Sequence, residues 1–159
     1  MNKKYIKYIN YIVNDIEAPY FKNMEDHYGL KDNEYELVLS KVYNQPVSIK
    51  DNRVYDTNGN ILYYEDSNGH WIKREYDTNG NVIYRENSNG YWTKREYNSN
   101  GNLIYREDSD GSWVRYKYDR NGNKIYYEDS TGLWFKKEYD TNNNKIYHED
   151  STGVIIDNR

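Results

Sequence analysis

From Tyr55 onward the chain repeats itself every 21 residues, and five successive copies run to the last residue, Arg159. Each copy opens with Tyr-Asp or Tyr-Asn, at Tyr55, Tyr76, Tyr97, Tyr118 and Tyr139. A self-similar unit at a fixed period calls for a repeat architecture, in which one supersecondary unit stacks on the next. The unit between Tyr76 and Glu96, YDTNGNVIYRENSNGYWTKRE, shows its internal punctuation most clearly.

Two series of turns divide every copy. The first reads Asp56-Thr57-Asn58-Gly59 and recurs at Asp77, Asn98, Asp119 and Asp140. The second reads Asp66-Ser67-Asn68-Gly69 and recurs at Asn87, Asp108, Asp129 and Asp150. Asp or Asn first and Gly fourth is the chemistry of a type I turn followed by a G1 bulge. Asn143 stands where the first series has Gly, and Asn is among the non-glycine residues that best tolerate a left-handed backbone. The six or seven residues between turns have ordinary strand length. The fold class expected is therefore mainly β, an open antiparallel β-hairpin repeat sheet, single-layered or coiled, of about ten strands.

The odd period adds a constraint. If both turns paired their strands identically, equivalent residues would alternate between faces in successive copies. Trp71, Trp92, Trp113 and Trp134 nevertheless recur in register, as do Tyr63, Tyr84, Tyr105, Tyr126 and Tyr147. Either one turn series has a two-residue loop or each copy carries an extra bulge. On that basis one face is expected to gather the Tyr63 series, the Tyr76 series, Ile61, Val82, Leu103, Ile72, Val114 and Phe135. The other is expected to gather the Trp series, Leu62, Ile83, Ile104, Ile125 and Ile146, with Lys73, Lys94, Arg115 and Lys136 beside Glu75, Glu96 and Glu138.

Residues 1–46 read as a helical cap and 47–159 as the hairpin array. Ile6, Ile9, Val13 and Ile16 form one stripe of an amphipathic helix, and a second is expected over Tyr20 to Tyr28. A third is expected to start at Asn33, which stands at capping-box spacing from Glu36. It is expected to bury Tyr35, Val38, Leu39 and Val42 and to stop before Pro46. Val47, Ile49 and Val54 then form a first extended segment. Two helices about Gly29 invite a helix-turn-helix reading, but Glu34 and Glu36 would stand where a DNA reader needs Arg, Lys, Asn or Gln. Covering the edge of the sheet is the simpler role for the cap.

Composition narrows the function classes. Apolar residues are 36% of the 159, yet 21 Tyr and 4 Trp supply large buriable surfaces, so the core is thin and aromatic. The absence of cysteine excludes disulfides and thiolate metal sites. No apolar run approaches a membrane span and no signal-peptide core opens the chain, which points to a cytoplasmic protein without membrane contact. The net charge of −4 disfavours non-specific nucleic-acid binding by the whole molecule. His27, His70 and His148 are the only histidines, and no nucleophile–base constellation, Walker loop, Rossmann fingerprint or zincin motif accompanies them. No catalytic residues and no cofactor are expected. The rows of turn aspartates invite a calcium reading. Their spacing lacks the EF-hand pattern and Asp at a first turn position bonds its own backbone, so no metal is assigned.

The frame of Tyr76, Asp77, Gly80, Val82, Gly90 and Tyr97 resembles the YD repeat of Rhs and toxin-shell proteins, and the resemblance covers residues 55–159. It implies hairpin-repeat structure and says little about activity. Five copies fall short of the large cocoon of that family, no self-cleaving core or toxin domain follows them, and the Trp and Lys-Arg-Glu positions depart from its pattern. A looser likeness is to the choline-binding repeats of cell-wall enzymes. A helical head on Tyr-rich repeats also resembles small phage-encoded proteins, which would act in the host cytoplasm.

The candidate binding face consists of Trp71, Trp92, Trp113 and Trp134, the cations Lys73, Lys94, Arg115 and Lys136, and Arg85 and Arg106. Aromatic residues and Arg are the types that carry interface hot spots. The first reading is a non-enzymatic module that binds a host protein, for instance an anti-CRISPR-like inhibitor occluding a defence nuclease, with acidic turn edges imitating phosphates. The second is a glycan or cell-wall module, since exposed Trp and Tyr stack sugar rings or cage a quaternary ammonium. The third is single-stranded nucleic acid, on the groove formed by the cation row and the Trp ladder. Glu75, Glu96 and Glu138 neutralise that row and disfavour it.

Overall fold

The computed structural model describes residues 32–51 and 53–159. The first two helices expected from the sequence, and His27, lie outside them. The chain divides into two compact units, Met1–Arg74 and Glu75–Arg159. Among the described residues one helix, α1 (Asp32–Val42), precedes twelve strands: β1 (Ser48–Lys50), β2 (Arg53–Tyr55), β3 (Ile61–Glu65), β4 (Trp71–Tyr76), β5 (Val82–Asn87), β6 (Trp92–Tyr97), β7 (Leu103–Asp108), β8 (Trp113–Tyr118), β9 (Lys124–Asp129), β10 (Trp134–Tyr139), β11 (Lys145–Asp150) and β12 (Ile155–Asp157). The strands lie side by side in chain order in one open sheet, with β1 and β12 at its ends. The mainly β, open hairpin-repeat architecture is thus the one the turn spacing implied. The ten repeat strands expected are β3–β12, and the segment expected ahead of them supplies two strands and not one. Asp51 takes a left-handed φ of 49° and folds it into the β1–β2 hairpin, with Lys50 opposite Arg53.

In Met1–Arg74 the helix starts at Asp32, one residue earlier than expected. It ends in a Schellman closure: Asn44 has φ 52°, Gln45 N–H donates to the Ser40 carbonyl at 3.1 Å and Asn44 N–H to that of Lys41 at 3.3 Å. These bonds satisfy carbonyls the helix leaves open. The Asn33 side chain of the expected capping box lies outside the described residues, while Glu36 reaches toward β1. Its carboxylate accepts the N–H of Ile49 at 3.1 Å, and the Ser40 hydroxyl accepts that of Val47 at 3.2 Å. The helix thereby covers backbone donors along β1, the kind of cover an edge strand needs. Val38, Leu39, Val54, Leu62 and Tyr63 are buried. At roughly 1.5–3 kcal/mol for each fully buried large apolar side chain, these residues anchor the unit. Glu65 is buried with them and accepts the Tyr63 hydroxyl at 3.1 Å, a partner that a buried carboxylate requires.

In Glu75–Arg159 both turn series close alike. Asp77 N–H bonds Asn81 O at 2.9 Å and Gly80 N–H bonds Asp77 O at 3.1 Å; Asp108 with Ser112 and Gly111 repeats the pattern at 2.9 Å. Gly80 has φ 83° and Gly111 φ 82°, the left-handed position of a G1 bulge. The odd period is absorbed elsewhere, by a second bulge beside the first-series turns. Between β6 and β7, Glu96 faces Tyr105 but Tyr97 faces Leu103, so the register steps over Ile104. The same step passes over Ile125 between β8 and β9 and over Ile146 between β10 and β11. No such shift occurs in the β5–β6 or β7–β8 pairs.

That bulge corrects the expected division of faces. It lies between the aliphatic position and the tyrosine two residues on, so Leu103 and Tyr105 leave on opposite sides although plain alternation would unite them. The Tyr84 series consequently shares a face with the Trp series, and the Tyr97 series keeps the face of Leu103, Val114 and Phe135.

Candidate functional site

Each repeat places Trp at the first position of a strand that leaves a second-series turn, with a cation two residues further on the same face. The preceding strand offers Tyr and Glu at matching spacing. Thus Tyr84 is opposite Lys94 and Glu86 opposite Trp92; Tyr105 is opposite Arg115 and Glu107 opposite Trp113; Tyr126 is opposite Lys136 and Glu128 opposite Trp134. The four side chains form a tile, and the following strand repeats the charge pairing, with Lys94 opposite Glu107 and Glu96 opposite Tyr105.

Within a tile the polar groups satisfy one another. The Tyr84 hydroxyl donates to Glu86 at 3.2 Å and that of Tyr147 to Glu149 at 3.1 Å. Lys94 Nζ lies 4.8 Å above the Trp92 ring, Arg115 4.9 Å from Trp113 and 5.5 Å from Tyr105, and Lys136 5.1 Å above Trp134. Lys136 also reaches Glu149 at 3.6 Å. A cation over a ring is attracted by the ring quadrupole, about 0.5–1 kcal/mol at exposed sites. Partial burial, then the charge of Glu86, push the Tyr84 phenol up to about 12. Burial and Glu107 act the same way on Tyr105.

Exposure separates the predicted residues. Lys94, Arg115 and Lys136 are exposed and Trp92, Trp113 and Trp134 half-buried, so this part of the face is open. Trp71 and Lys73 form the equivalent tile in the first unit, where Tyr63 stacks on Trp71 at 6.3 Å and is itself buried along with Glu65. Arg85 and Arg106 are not on the Trp face. Arg85 stands opposite Thr93, and Arg106 opposite Arg95 and Val114, so both belong to the other side. There Arg106 pairs with Asp108 at 2.6 Å, and Thr93 donates to the same carboxylate at 2.8 Å.

The tiles leave shallow grooves that recur with the repeat. One, of about 520 Å³, is lined by Glu75, Tyr84, Lys94 and Glu96 among others. The next, of about 630 Å³, has Glu96, Tyr105 and Arg115 at the equivalent places and reaches Tyr126 and Glu128. The tyrosines and glutamates of these grooves were not among the candidate residues from the sequence. The signal that would have found them is the Tyr-x-Glu spacing of Tyr84 and Glu86, which matches Trp92 and Lys94 across the second turn.

No protein-family model and no curated protein matches this chain. Solved structures are similar in part. The likeness is one of repeated strands. The crystal structure of TcdB2-TccC3-TEV has a TM-score of 0.49 and 18% identity, covering 64% of this chain and 6% of that one. The Photorhabdus luminescens Tc holotoxin pore has 0.49 and 18%, covering 78% and 6%. The chain therefore spans 6% of the length of those proteins, and nothing about activity or partners passes from them to it.

The turns offer no competing chemistry. Asp77 Oδ1 accepts the N–H groups of Asn79 and Asn81 at 2.9 and 2.8 Å, and Oδ2 accepts the Asn81 amide at 2.9 Å. Such bonds hold the Asp77 carboxyl below the usual carboxylate range, the Asn81 amide contributing most. Hydrogen bonds from Thr131 and then Tyr127 bring Asp129 to about 2. His70 and His148 each bond the first aspartate of a neighbouring turn, at 3.1 and 2.9 Å. Among the described residues no group of three or more His, Asp or Glu is placed to hold a metal ion, and no helix is long and apolar enough to cross a membrane.

Proposed function

We propose that the chain is a non-enzymatic binding module and that the Trp-bearing face of Glu75–Arg159 receives a protein partner. One observation carries this reading: the same groove, walled by Tyr, Glu and a basic side chain, recurs one repeat later on an open face. Half-buried aromatics fixed by neighbouring cations lose little side-chain freedom on binding, which favours affinity. Their surrounding Lys and Glu residues supply a polar rim.

The host-protein form of the reading places the molecule in a reducing cytoplasm, in keeping with a chain that has no cysteine. Occlusion of a defence nuclease is one version of it. The turn carboxylates that would imitate phosphates there are already engaged by their own loops, so support for the reading comes from the aromatic face and not from the turns. The glycan alternative has to contend with cations lying over Trp92, Trp113 and Trp134, which occupy ring surface that a sugar or a quaternary ammonium would use.

Affinity capture from a host lysate with tagged chain tests the proposal. A stoichiometric protein is expected with the wild type and is lost with Trp92→Ala/Trp113→Ala, whose folding is checked by circular dichroism. Recovery of wall polysaccharide instead, or a partner indifferent to both substitutions, contradicts it.

A further inference from the structure

The face of Glu75–Arg159 that carries no tryptophan is the more basic of the two. Strand register sets Arg85, Arg95, Arg106, Lys124, Lys137 and Lys145 on it, against Asp108, Asp129 and Asp150. Two of its cations are directly opposed, Arg95 to Arg106, an arrangement that weakens a sheet. Lys124 lies with Nζ 3.9 Å above the Tyr116 ring, and Lys137 lies 4.1 Å above Phe135. Burial, then the charge of Lys137, hold the Lys124 amine below its ordinary value.

The repeat itself does not require these lysines. Val82 and Leu103 fill the place of Lys124 in earlier copies, so the last copies replace an aliphatic residue with a cation. Three carboxylates against six cations leave the face with an excess of positive charge. Asp108 is held by Arg106 and Thr93, Asp129 by Tyr127 at 2.6 Å and Asp150 by His148. Among the described residues Arg106 is the one of the six basic side chains that forms an ion pair.

Planar rings interleave with the cations. Tyr97 stands opposite Leu103, Tyr118 opposite Lys124 and Tyr139 opposite Lys145, one tyrosine per repeat on this same face. Unpaired cations between regularly spaced rings match a chain of phosphates carrying bases, where charge holds the backbone and rings stack the bases. Polyglutamate offers carboxylates to the cations but no ring to the tyrosines. We propose that this face binds single-stranded nucleic acid, separately from the protein-binding face on the other side of the sheet.

Fluorescence anisotropy of a labelled oligo-dT of ~15 nucleotides, titrated with the full chain at several salt concentrations, tests this. Five unpaired cations at about 0.7 each give an expected log–log salt slope of about −3.5. Lys124→Leu installs the residue that Leu103 already supplies in the repeat, so the fold is kept, and it lowers the slope by about 0.7. Lys124→Glu/Lys137→Glu weakens binding by at least about tenfold, whereas the matched double change Lys117→Glu/Lys136→Glu on the other face costs at most about twofold. Polyglutamate fails to displace the oligonucleotide. The proposal is overturned by no binding at low salt, by a slope near zero, by displacement with polyglutamate, or by equal losses from changes on the two faces.

Discussion

Asn143 shows how a single residue meets two demands. It takes a left-handed φ of 64°, and its side-chain oxygen accepts the amides of Asn123 at 2.8 Å and Asn121 at 3.3 Å, tying one first-series turn to its predecessor. Asn143→Ala is expected to cost about 1–2 kcal/mol in urea unfolding, since a Cβ without a compensating polar group penalises the left-handed region; Asn143→Gly costs less. The titrating residues set opposite limits in pH. Asp77, Asp119, Asp129, Asp140 and Asp150 bind protons less readily folded than unfolded. Their contribution is complete above about pH 4 and is lost as pH falls toward about 2. Tyr84 and Tyr127 are both pushed up to about 12, so their contribution is complete below about pH 10 and is lost as pH rises through about 12. Melting temperature against pH is expected to decline at both ends, and Asp129→Asn flattens the acid limb. At this scale the sequence was readable: the Asp, Asn and Gly positions specify turn chemistry locally, with no need of distant partners.

The hairpins show where that reading stops. Turn type and strand length follow from residues adjacent in sequence, but the bulge at Ile104, Ile125 and Ile146 is a property of two strands at once. An aliphatic residue that is skipped in the register looks the same in sequence as one that is paired. The odd period required an irregularity in every repeat without locating it, and its actual place moved the Tyr84 series to the Trp face. The same reasoning explains Arg85 and Arg106, which adjoin Tyr84 and Tyr105 in sequence and therefore point to the other side. Deleting Ile104 should remove the step and keep the faces of all that follows, since Leu103 and Tyr105 then alternate plainly, whereas deleting the paired Val114 should reverse them. The Val114 deletion is expected to lower the melting temperature far more than the Ile104 deletion, which keeps the register. Equal losses from the two changes would argue against the bulge. Lys94→Ala should cost only about 0.5–1 kcal/mol, the worth of an exposed cation over a ring.

In Met1–Arg74 a helix lies against the β1 edge, and in Glu75–Arg159 the two faces of the sheet differ in chemistry. One joins Trp, Tyr, Lys and Glu in repeating tiles, and the other gathers basic residues with the Tyr97 series. The period fixed the architecture from sequence, and the Trp and cation rows were found because they recur. Of the cation set opposite them the sequence singles out only Arg85 and Arg106, and with the wrong face, because its members occupy different repeat positions and meet only when strands pair. A repeat array draws its stability from nearest-neighbour contacts, so a face can carry a partner without disturbing the remainder of its unit. The most direct test of the central claim uses the absence of cysteine from the chain. Lys94→Cys and Arg95→Cys place single thiols on adjacent residues that face opposite sides, and their alkylation rates are compared with and without the captured protein partner. The account predicts that partner binding slows the thiol at 94 by at least about tenfold and that at 95 by less than about twofold, as water exclusion at an interface core requires. Protection at 95 with none at 94 would contradict it.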